Sequence, residues 1–102
     1  MSNRQTGTVV LTHEVGLHAR PTVKLTKLAK RYAAAIRLSA SVDGPWIDAK
    51  SVAKVMSAKI PQFATLHFEA EGDDAVEAVA ALIALVEGDF EEIPAKAASQ
   101  AG

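Results

Sequence analysis

The chain has 102 residues, a formal net charge of −1 at pH 7 and no cysteine. A chain of this length is expected to form one domain. The absence of cysteine excludes a disulfide scaffold, a thiolate zinc site and a thiol nucleophile. The near-neutral charge gives no indication of nucleic-acid binding, and no apolar run is long enough to cross a bilayer or to serve as a secretion signal. We therefore expect a soluble, cytoplasmic monomer whose apolar helix faces are used by its own core.

The first half of the chain alternates between strand and helix patterns. β-Branched residues at 6–12 predict a strand. From Ala19 the pattern becomes helical, and the apolar stripe Leu25, Leu28, Ala29 and Tyr32 predicts a helix that ends near 33–34. Alternating residues at 35–40 and a short apolar stretch at 46–49 predict two strands joined as a hairpin through an Asp-Gly turn. In the first hairpin strand the residues expected to face inward are Ile36, Leu38 and Ala40, and those expected to face outward are Arg37 and Ser39.

The second half of the chain contains two more helices around one strand. Residues 50–57 predict a short helix with Ser51 as its N-cap. The alternating stretch 65–70 predicts a strand in which Leu66, Phe68 and Ala70 face inward and Thr65, His67 and Glu69 face outward. The stretch 72–88 has the clearest helix pattern in the chain, with Asp74 and Glu77 spaced as in a capping box and Gly88 as a stop. Its predicted buried stripe consists of Val76, Val79, Ala80, Ile83 and Val86.

These elements together predict the fold class. Their order is β-α-β-β-α-β-α, and strands that alternate between apolar and polar residues bury only one face of a sheet. The helices must then cover that one face. We therefore predict an α+β, two-layer open-faced β-sandwich, in which three helices pack on one face of a four-stranded antiparallel sheet. Residues 1–90 would form this domain, and 91–102 would be a flexible C-terminal tail.

The stretch GLHARP, residues 16–21, places reactive chemistry at the start of the first helix. With His18 as the N-cap, Pro21 falls in the first turn, where a missing amide N–H costs nothing. The unpaired amides of a helix start form an anion site that disfavours a protonated imidazole and keeps His18 as a neutral nucleophile. Arg20 would contact a phosphoryl group received there. A histidine beside a turn can also be purely structural, and that alternative stays open at this point.

The first helix also carries a basic stripe that runs away from His18. Its members recur at i, i+4, i+7 and i+11, and Val23 lies at its apolar edge. Such a strip on a near-neutral protein indicates docking to acidic partner surfaces, although a basic stripe can equally be a solvated helix face. The stripe consists of Arg20, Lys24, Lys27 and Arg31.

Three segments resemble one family. GLHARP followed by an apolar-periodic helix is similar to the active-site signature of HPr, the histidine phosphocarrier of the bacterial phosphotransferase system. KSVAKVMS, residues 50–57, resembles the segment that carries the regulatory serine of that family. FEAEGDDAVEAVAALIALV, residues 68–86, resembles its last strand and helix. The resemblance covers about 6–90, and the order of the predicted elements is also that of the family.

The resemblance implies a role for each matching residue. His18 would be phosphorylated on a ring nitrogen by enzyme I, with phosphoenolpyruvate as the source, and would pass the phosphoryl group to an enzyme IIA-type domain. Arg20 would contact that group, and Pro21 would shape the start of the helix. Ser51 matches the serine that an HPr kinase/phosphorylase modifies in some bacteria. The residues that would dock partners are Val23, Lys24, Lys27, Val52, Ala53 and Met56.

The family likeness implies a carrier rather than an enzyme, without a cofactor or a metal. The chain has no nucleotide-binding loop, and its histidines His13, His18 and His67 lack the spacing of a metal site. Two alternatives remain open: a regulatory binding module that is controlled by phosphorylation, and a relay for a dedicated kinase such as dihydroxyacetone kinase. Trp46 could be a partner contact or a cover for the sheet edge.

The sequence departs from the common pattern of the family at several positions. Val15 stands where members of the sugar pathway often carry a small polar residue, and together with the last helix it favours the nitrogen-related (NPr) or regulatory branch. The loop before Gly44 is about two residues longer than usual. The loop after the short helix has Lys59 and Phe63 in place of glycines, which bears on docking specificity more than on chemistry. The downstream acceptor is left open by the sequence.

Overall fold

The computed structural model describes residues 4–13, 16–88 and 90. Its four strands form one antiparallel sheet in the order β1-β4-β2-β3. Helix α1 packs against the other two helices, and α2 and α3 pack against strands of this sheet. The fold class predicted from the sequence is therefore confirmed. The elements are β1 (Arg4–Val10), α1 (Ala19–Ala29), β2 (Ala35–Ser39), β3 (Ile47–Asp48), α2 (Val52–Ser57), β4 (Thr65–Glu71) and α3 (Ala75–Glu87).

The core lies between the helices and one face of the sheet. Strand β4 is central, since it pairs with β1 on one side and with β2 on the other. Its inward residues were predicted correctly, because period-two alternation fixes which side chains share a face. In the described part of the chain, no helix is long and apolar enough to span a membrane. The fully buried side chains of the strands include Leu38, Leu66, Phe68 and Ala70.

The hairpin departs from the prediction at its tip. Strand β2 ends at Ser39, so Ala40 lies outside it and is exposed rather than inward. Ser39 was expected to be outward and is instead buried, because the following turn folds back onto it. Its hydroxyl donates to the Ser41 carbonyl oxygen at 2.6 Å and accepts from the Ser41 amide at 3.0 Å. The Asp-Gly turn is present, with the Gly44 amide bonded to the Ser41 carbonyl.

Helix α1 ends four or five residues earlier than the sequence predicts. The helix stops at Ala29, and the Arg31 and Tyr32 amides make tighter bonds to carbonyls three residues back. The next two amides, of Ala33 and Ala34, donate to the carboxylate of Asp74, each at 2.8 Å. A carboxylate at the start of α3 thus replaces the helical acceptors. Leu25 and Ala29 are buried as predicted, Leu28 and Tyr32 lie at the edge of the core, and Thr22 and Thr26 are buried as well.

The capping box predicted for α3 is wrong for the same reason. Asp74 is the N-cap, but its side chain makes no capping bond within α3, since it faces the amides that follow α1. The predicted buried stripe is also partly wrong. Val76 is 59% exposed and Ala80 is exposed. Because α3 is apolar on nearly all sides, apolar spacing alone does not fix its rotation. The residues it buries are Ala75, Ala78, Val79, Leu82 and Val86.

Candidate functional site

The loop before α1 is shaped by Gly16. Its φ is +68°, and a Cβ atom there would lie 2.6 Å from the Ile60 carbonyl oxygen. Glycine is required on both counts, since other residues rarely adopt this conformation and none could approach the Ile60 backbone as closely. The Leu17 amide donates to the same Ile60 carbonyl at 2.9 Å. The loop is thus fixed against the segment that follows α2.

His18 is the N-cap of α1, as the sequence predicts. Its backbone is extended (φ −104°, ψ −162°), its carbonyl accepts the Thr22 amide at 2.9 Å, and its side chain is exposed and makes no capping bond. The imidazole therefore does not make the capping hydrogen bond that a serine or aspartate side chain makes at this position. The imidazole is exposed to solvent at the N-terminal end of α1, where backbone amides rather than carbonyls point out of the helix.

The first turn of α1 provides donors and no competing anion. In the described residues, the amides of Ala19 and Arg20 have no backbone acceptor, and the first turn contains no acidic residue. The Arg20 side chain is exposed, and no carboxylate in those ranges pairs with it. Pro21 is buried in the third helical position, where an amide would have had no partner. This arrangement can hold an anion next to the His18 ring.

The predicted docking residues on α1 differ in their surroundings. Val23 is 41% exposed, and Lys27 is exposed in the last turn. Lys24 is half-buried, and its ammonium donates to the Phe90 carbonyl oxygen at 2.8 Å. Arg31 lies beyond the end of the helix, so the basic stripe is shorter than its spacing suggests. Of the predicted docking residues on α1, one apolar side chain, Val23, and one basic side chain, Lys27, thus remain accessible on the outer face.

Helix α2 packs against α1, which brings the two predicted docking segments onto neighbouring helices. Ser51 is its N-cap, as predicted, and the hydroxyl accepts from the Lys54 amide at 3.3 Å. Val52 and Met56 are half-buried, and Ala53 is exposed. The three side chains leave a small, partly apolar surface next to Ser51.

Comparison with known proteins decides the family. Residues 5–88 match the model of a family described as the PTS HPr component phosphorylation site. The chain belongs to the HPr family. A phosphocarrier protein HPr from Cupriavidus necator is 37% identical over 80% of this chain and 90% of its own length. A phosphocarrier protein NPr from Klebsiella oxytoca is 35% identical over 83% of this chain and 93% of its own.

The fold comparison agrees with the sequence comparison. A crystal structure of an HPr from Thermoanaerobacter tengcongensis superposes with a TM-score of 0.78 at 34% identity, covering 86% of this chain and 98% of the other. The chain thus belongs to the HPr/NPr family of phosphocarrier proteins of the phosphotransferase system, which are carriers rather than catalysts. Val15, on which the branch prediction depends, and the predicted tail 91–102 lie outside the described residues.

The loop after α2 shows what replaces two glycines common in the HPr family. Lys59 has φ +50° and Phe63 has φ +72°, so both occupy the left-handed region that glycine prefers. Phe63 is 70% exposed, and its amide donates to the Leu11 carbonyl. Both residues thus adopt the backbone conformation that glycine prefers, and the Ile60 carbonyl in the same segment accepts the Leu17 amide of the loop before His18.

The other histidines and Trp46 lie apart from this HPr-type site or at its border. His67 is on β4, facing the open side of the sheet. Trp46 is half-buried and lines a groove on that open side together with Thr6, Val42 and His67. No group of three metal-binding side chains occurs in the ranges 4–13, 16–88 and 90.

Two features of the site were not predicted from the sequence. One is the support that Ile60 gives to the loop, and the other is Phe90. Phe90 is only 2% exposed. Its ring makes a T-shaped contact with the His13 ring, with centroids 5.7 Å apart and planes at 81°. The only local signal was an aromatic residue two positions after the glycine that ends α3, which gives no partner.

Proposed function

We propose that this protein accepts a phosphoryl group on a ring nitrogen of His18 from enzyme I, which takes it from phosphoenolpyruvate, and passes the group to an enzyme IIA-type domain. The observation that carries this proposal is the exposed His18 imidazole at a helix start where, within the described residues, the Ala19 and Arg20 amides have no backbone acceptor and the first turn has no acid. A regulatory binder would need neither the free ring nor the vacant donors around it.

The residues around His18 have separate roles in the proposed exchange. A lone pair of the neutral ring attacks phosphorus, the N–P bond to His18 forms, and the bond between phosphorus and the donor breaks. The Ala19 and Arg20 amides and the Arg20 guanidinium then face the new phosphoryl oxygens, and each charge-assisted hydrogen bond is worth about 1.5–3 kcal/mol before solvent screening. Pro21 contributes by fixing the first turn, and so the direction of the His18 Cα–Cβ bond.

The same surface would serve both partners in turn. Two packed helices carry the accessible residues, Val23 and Lys27 on α1 and Val52, Ala53 and Met56 on α2. This mixture favours a partner with an apolar centre and an acidic rim. Because donor and acceptor would use one surface, they would bind alternately. The exchange with a phosphoenolpyruvate-dependent donor would take place in the cytoplasm.

A two-step relay experiment tests this proposal. Protein labelled through enzyme I and ³²P-phosphoenolpyruvate is purified and mixed with IIA domains of the sugar and nitrogen branches. We expect the label to move to one of them within the mixing time, while Arg20→Met protein charges and discharges more slowly. Label that remains on this protein with every acceptor while a stable complex forms would contradict the carrier function and favour a phosphorylation-controlled binding module.

We also propose that Ser51 can be a regulatory phosphorylation site. A phosphoryl dianion at the start of α2 would keep a favourable interaction with the helix end, but it would stand beside the half-buried Val52 and Met56 and repel an acidic partner. Incubation with an HPr kinase and labelled ATP should give an acid-stable label that is absent from Ser51→Ala and present in the control Ser57→Ala. Label on Ser51→Ala would refute the assignment.

A further inference from the structure

We propose that Phe90 is a positioning residue for His18, held in place by Lys24, so that the segment after α3 keeps the active-site loop in its reactive geometry. This inference rests on the proposed function, because its kinetic consequence is measured on phosphoryl transfer to His18. The structural part concerns only three contacts: Phe90 with His13, Phe90 with Lys24, and His13 with the loop.

Phe90 occupies a defined place after α3. Its ring is 2% exposed, and its amide donates to the Leu85 carbonyl at 2.8 Å, which turns the chain back after α3. Its φ of +63° is unfavourable for a residue with a side chain. Such a backbone persists when surrounding contacts stabilise it, and burial of the ring against His13 is a contact of that kind.

Lys24 fixes the same residue from the side of α1. Its ammonium donates to the Phe90 carbonyl oxygen at 2.8 Å, and it is half-buried, unlike the exposed Lys27 one turn further on. One cation of the basic stripe thus binds the segment after α3. The bond joins α1, whose N-cap is His18, to the segment that contacts the loop before His18.

A continuous set of contacts connects the Phe90 ring to His18. The ring packs against His13, whose carbonyl accepts the Gly16 amide at 2.9 Å, and the Gly16 carbonyl accepts the His18 amide at 3.0 Å. On the other side, the Leu17 amide is bonded to the Ile60 carbonyl. The His18 backbone is therefore held between two supports, and removal of the Phe90 ring takes away one of them.

The position of the nucleophile affects the chemical step more than binding. A displacement of about 1 Å of a reacting group can cost about 100-fold in rate, so a partial loosening of the loop should cost less. We expect Phe90→Leu to lower kcat for phosphorylation by enzyme I about 10-fold, with KM nearly unchanged because Val23, Lys27 and the α2 surface are untouched. Lys24→Met should act in the same direction with a smaller loss of kcat.

The experiment uses the full chain and combines amide hydrogen exchange with enzyme I kinetics. Phe90→Leu should raise the exchange rates of the Gly16 and His18 amides. Phe68→Leu serves as the control for lost stability, because Phe68 is fully buried in β4 and has no part in the contacts that hold the loop. Lys30→Met, at the exposed end of α1, is the control for Lys24→Met. Neither control should lower kcat or specifically expose the two loop amides.

Two results would overturn the inference. One is native exchange at Gly16 and His18 in Phe90→Leu, and the other is faster exchange with an unchanged kcat, since Phe90 would then support the loop without affecting the reaction. Failure of the proposed function looks different. In that case even the native protein would accept no label on His18, while the exchange comparison would still decide whether Phe90 holds the loop.

Discussion

At the scale of single residues, Glu69 shows how a side chain on the open face of the sheet becomes buried. Its strand position predicts an outward direction, but the residue is only 6% exposed, because the guanidinium groups of Arg4 and Arg37 cover the carboxylate from both neighbouring strands. The hydrogen bond from Arg4 is the largest cause that lowers the pKa of Glu69, and the charges of both arginines add to it.

Substitution of Glu69 by glutamine should destabilise the protein in a pH-dependent way. A carboxyl group with a lowered pKa contributes stability above the ordinary glutamate pKa, and this contribution is lost as the pH falls through the folded-state pKa. We expect Glu69→Gln to cost about 1 kcal/mol at neutral pH, since both arginines are half-exposed, and to cost little in acid. Urea unfolding at several pH values measures both.

Glu71→Gln is the matched control for this prediction. It lies two residues further along β4 on the same face but is exposed, and it has no arginine partner in the described ranges. The two variants should therefore differ at neutral pH and converge in acid. A Glu69→Gln cost that is independent of pH would contradict the ion-pair explanation and indicate a packing effect.

The residues of the site divide by the range of the contacts that place them. His18, Arg20 and Pro21 were predicted correctly as a helix start, because an N-cap and a first turn depend on neighbours in the sequence. Ile60, Lys24 and Phe90 act through contacts between distant segments. Phe90 and His13 lie near opposite ends of the chain, and no local pattern indicates that they meet.

At the scale of elements, Asp74 accounts for the largest error in the predicted helix bounds. Apolar spacing continues to Tyr32, so the sequence predicts a longer α1, and the spacing of Asp74 and Glu77 predicts a capping box. The fold uses Asp74 instead to accept the two amides that follow α1. A tertiary hydrogen bond thus overrides a local pattern at both helices. These hydrogen bonds lower the pKa of the Asp74 carboxyl group, and the bond from the Ala33 amide is the largest cause.

Asp74→Ala should therefore destabilise the junction after α1 rather than the start of α3 alone. We expect a lower urea midpoint and faster hydrogen exchange at the Ala33 and Ala34 amides. The stability that Asp74 contributes should be present above the ordinary aspartate pKa and disappear as the pH falls through its lowered value. Equilibrium unfolding and exchange measured by NMR test both statements.

Glu77→Ala distinguishes the two explanations for Asp74. Glu77 is exposed in the first turn of α3 and would be the second member of a capping box. The observed bonds predict a small effect for Glu77→Ala and native exchange at Ala33 and Ala34. Equal destabilisation by the two variants, without a change in exchange at those amides, would contradict this explanation and support the capping box.

At the scale of the whole molecule, the topology explains why one end of the fold carries the site. Helices α1 and α2 pack together, the loop before α1 is bonded to the segment after α2, and the segment after α3 returns to the same loop. The sequence predicted the two layers and the strand faces, because alternation and helical spacing are local patterns. It could not predict how three connecting segments converge on His18.

The central claim is tested most directly by mapping the phosphoryl group. The full-length protein is incubated with enzyme I and phosphoenolpyruvate, and the product is analysed by ³¹P NMR and by peptide mass spectrometry under neutral conditions. We expect one acid-labile phosphoryl group, located on His18, which is absent from His18→Ala and unchanged in His67→Ala. A phosphoryl group on His13 or His67, or none on native protein that a functional enzyme I has been shown to bind, would contradict the proposed carrier function.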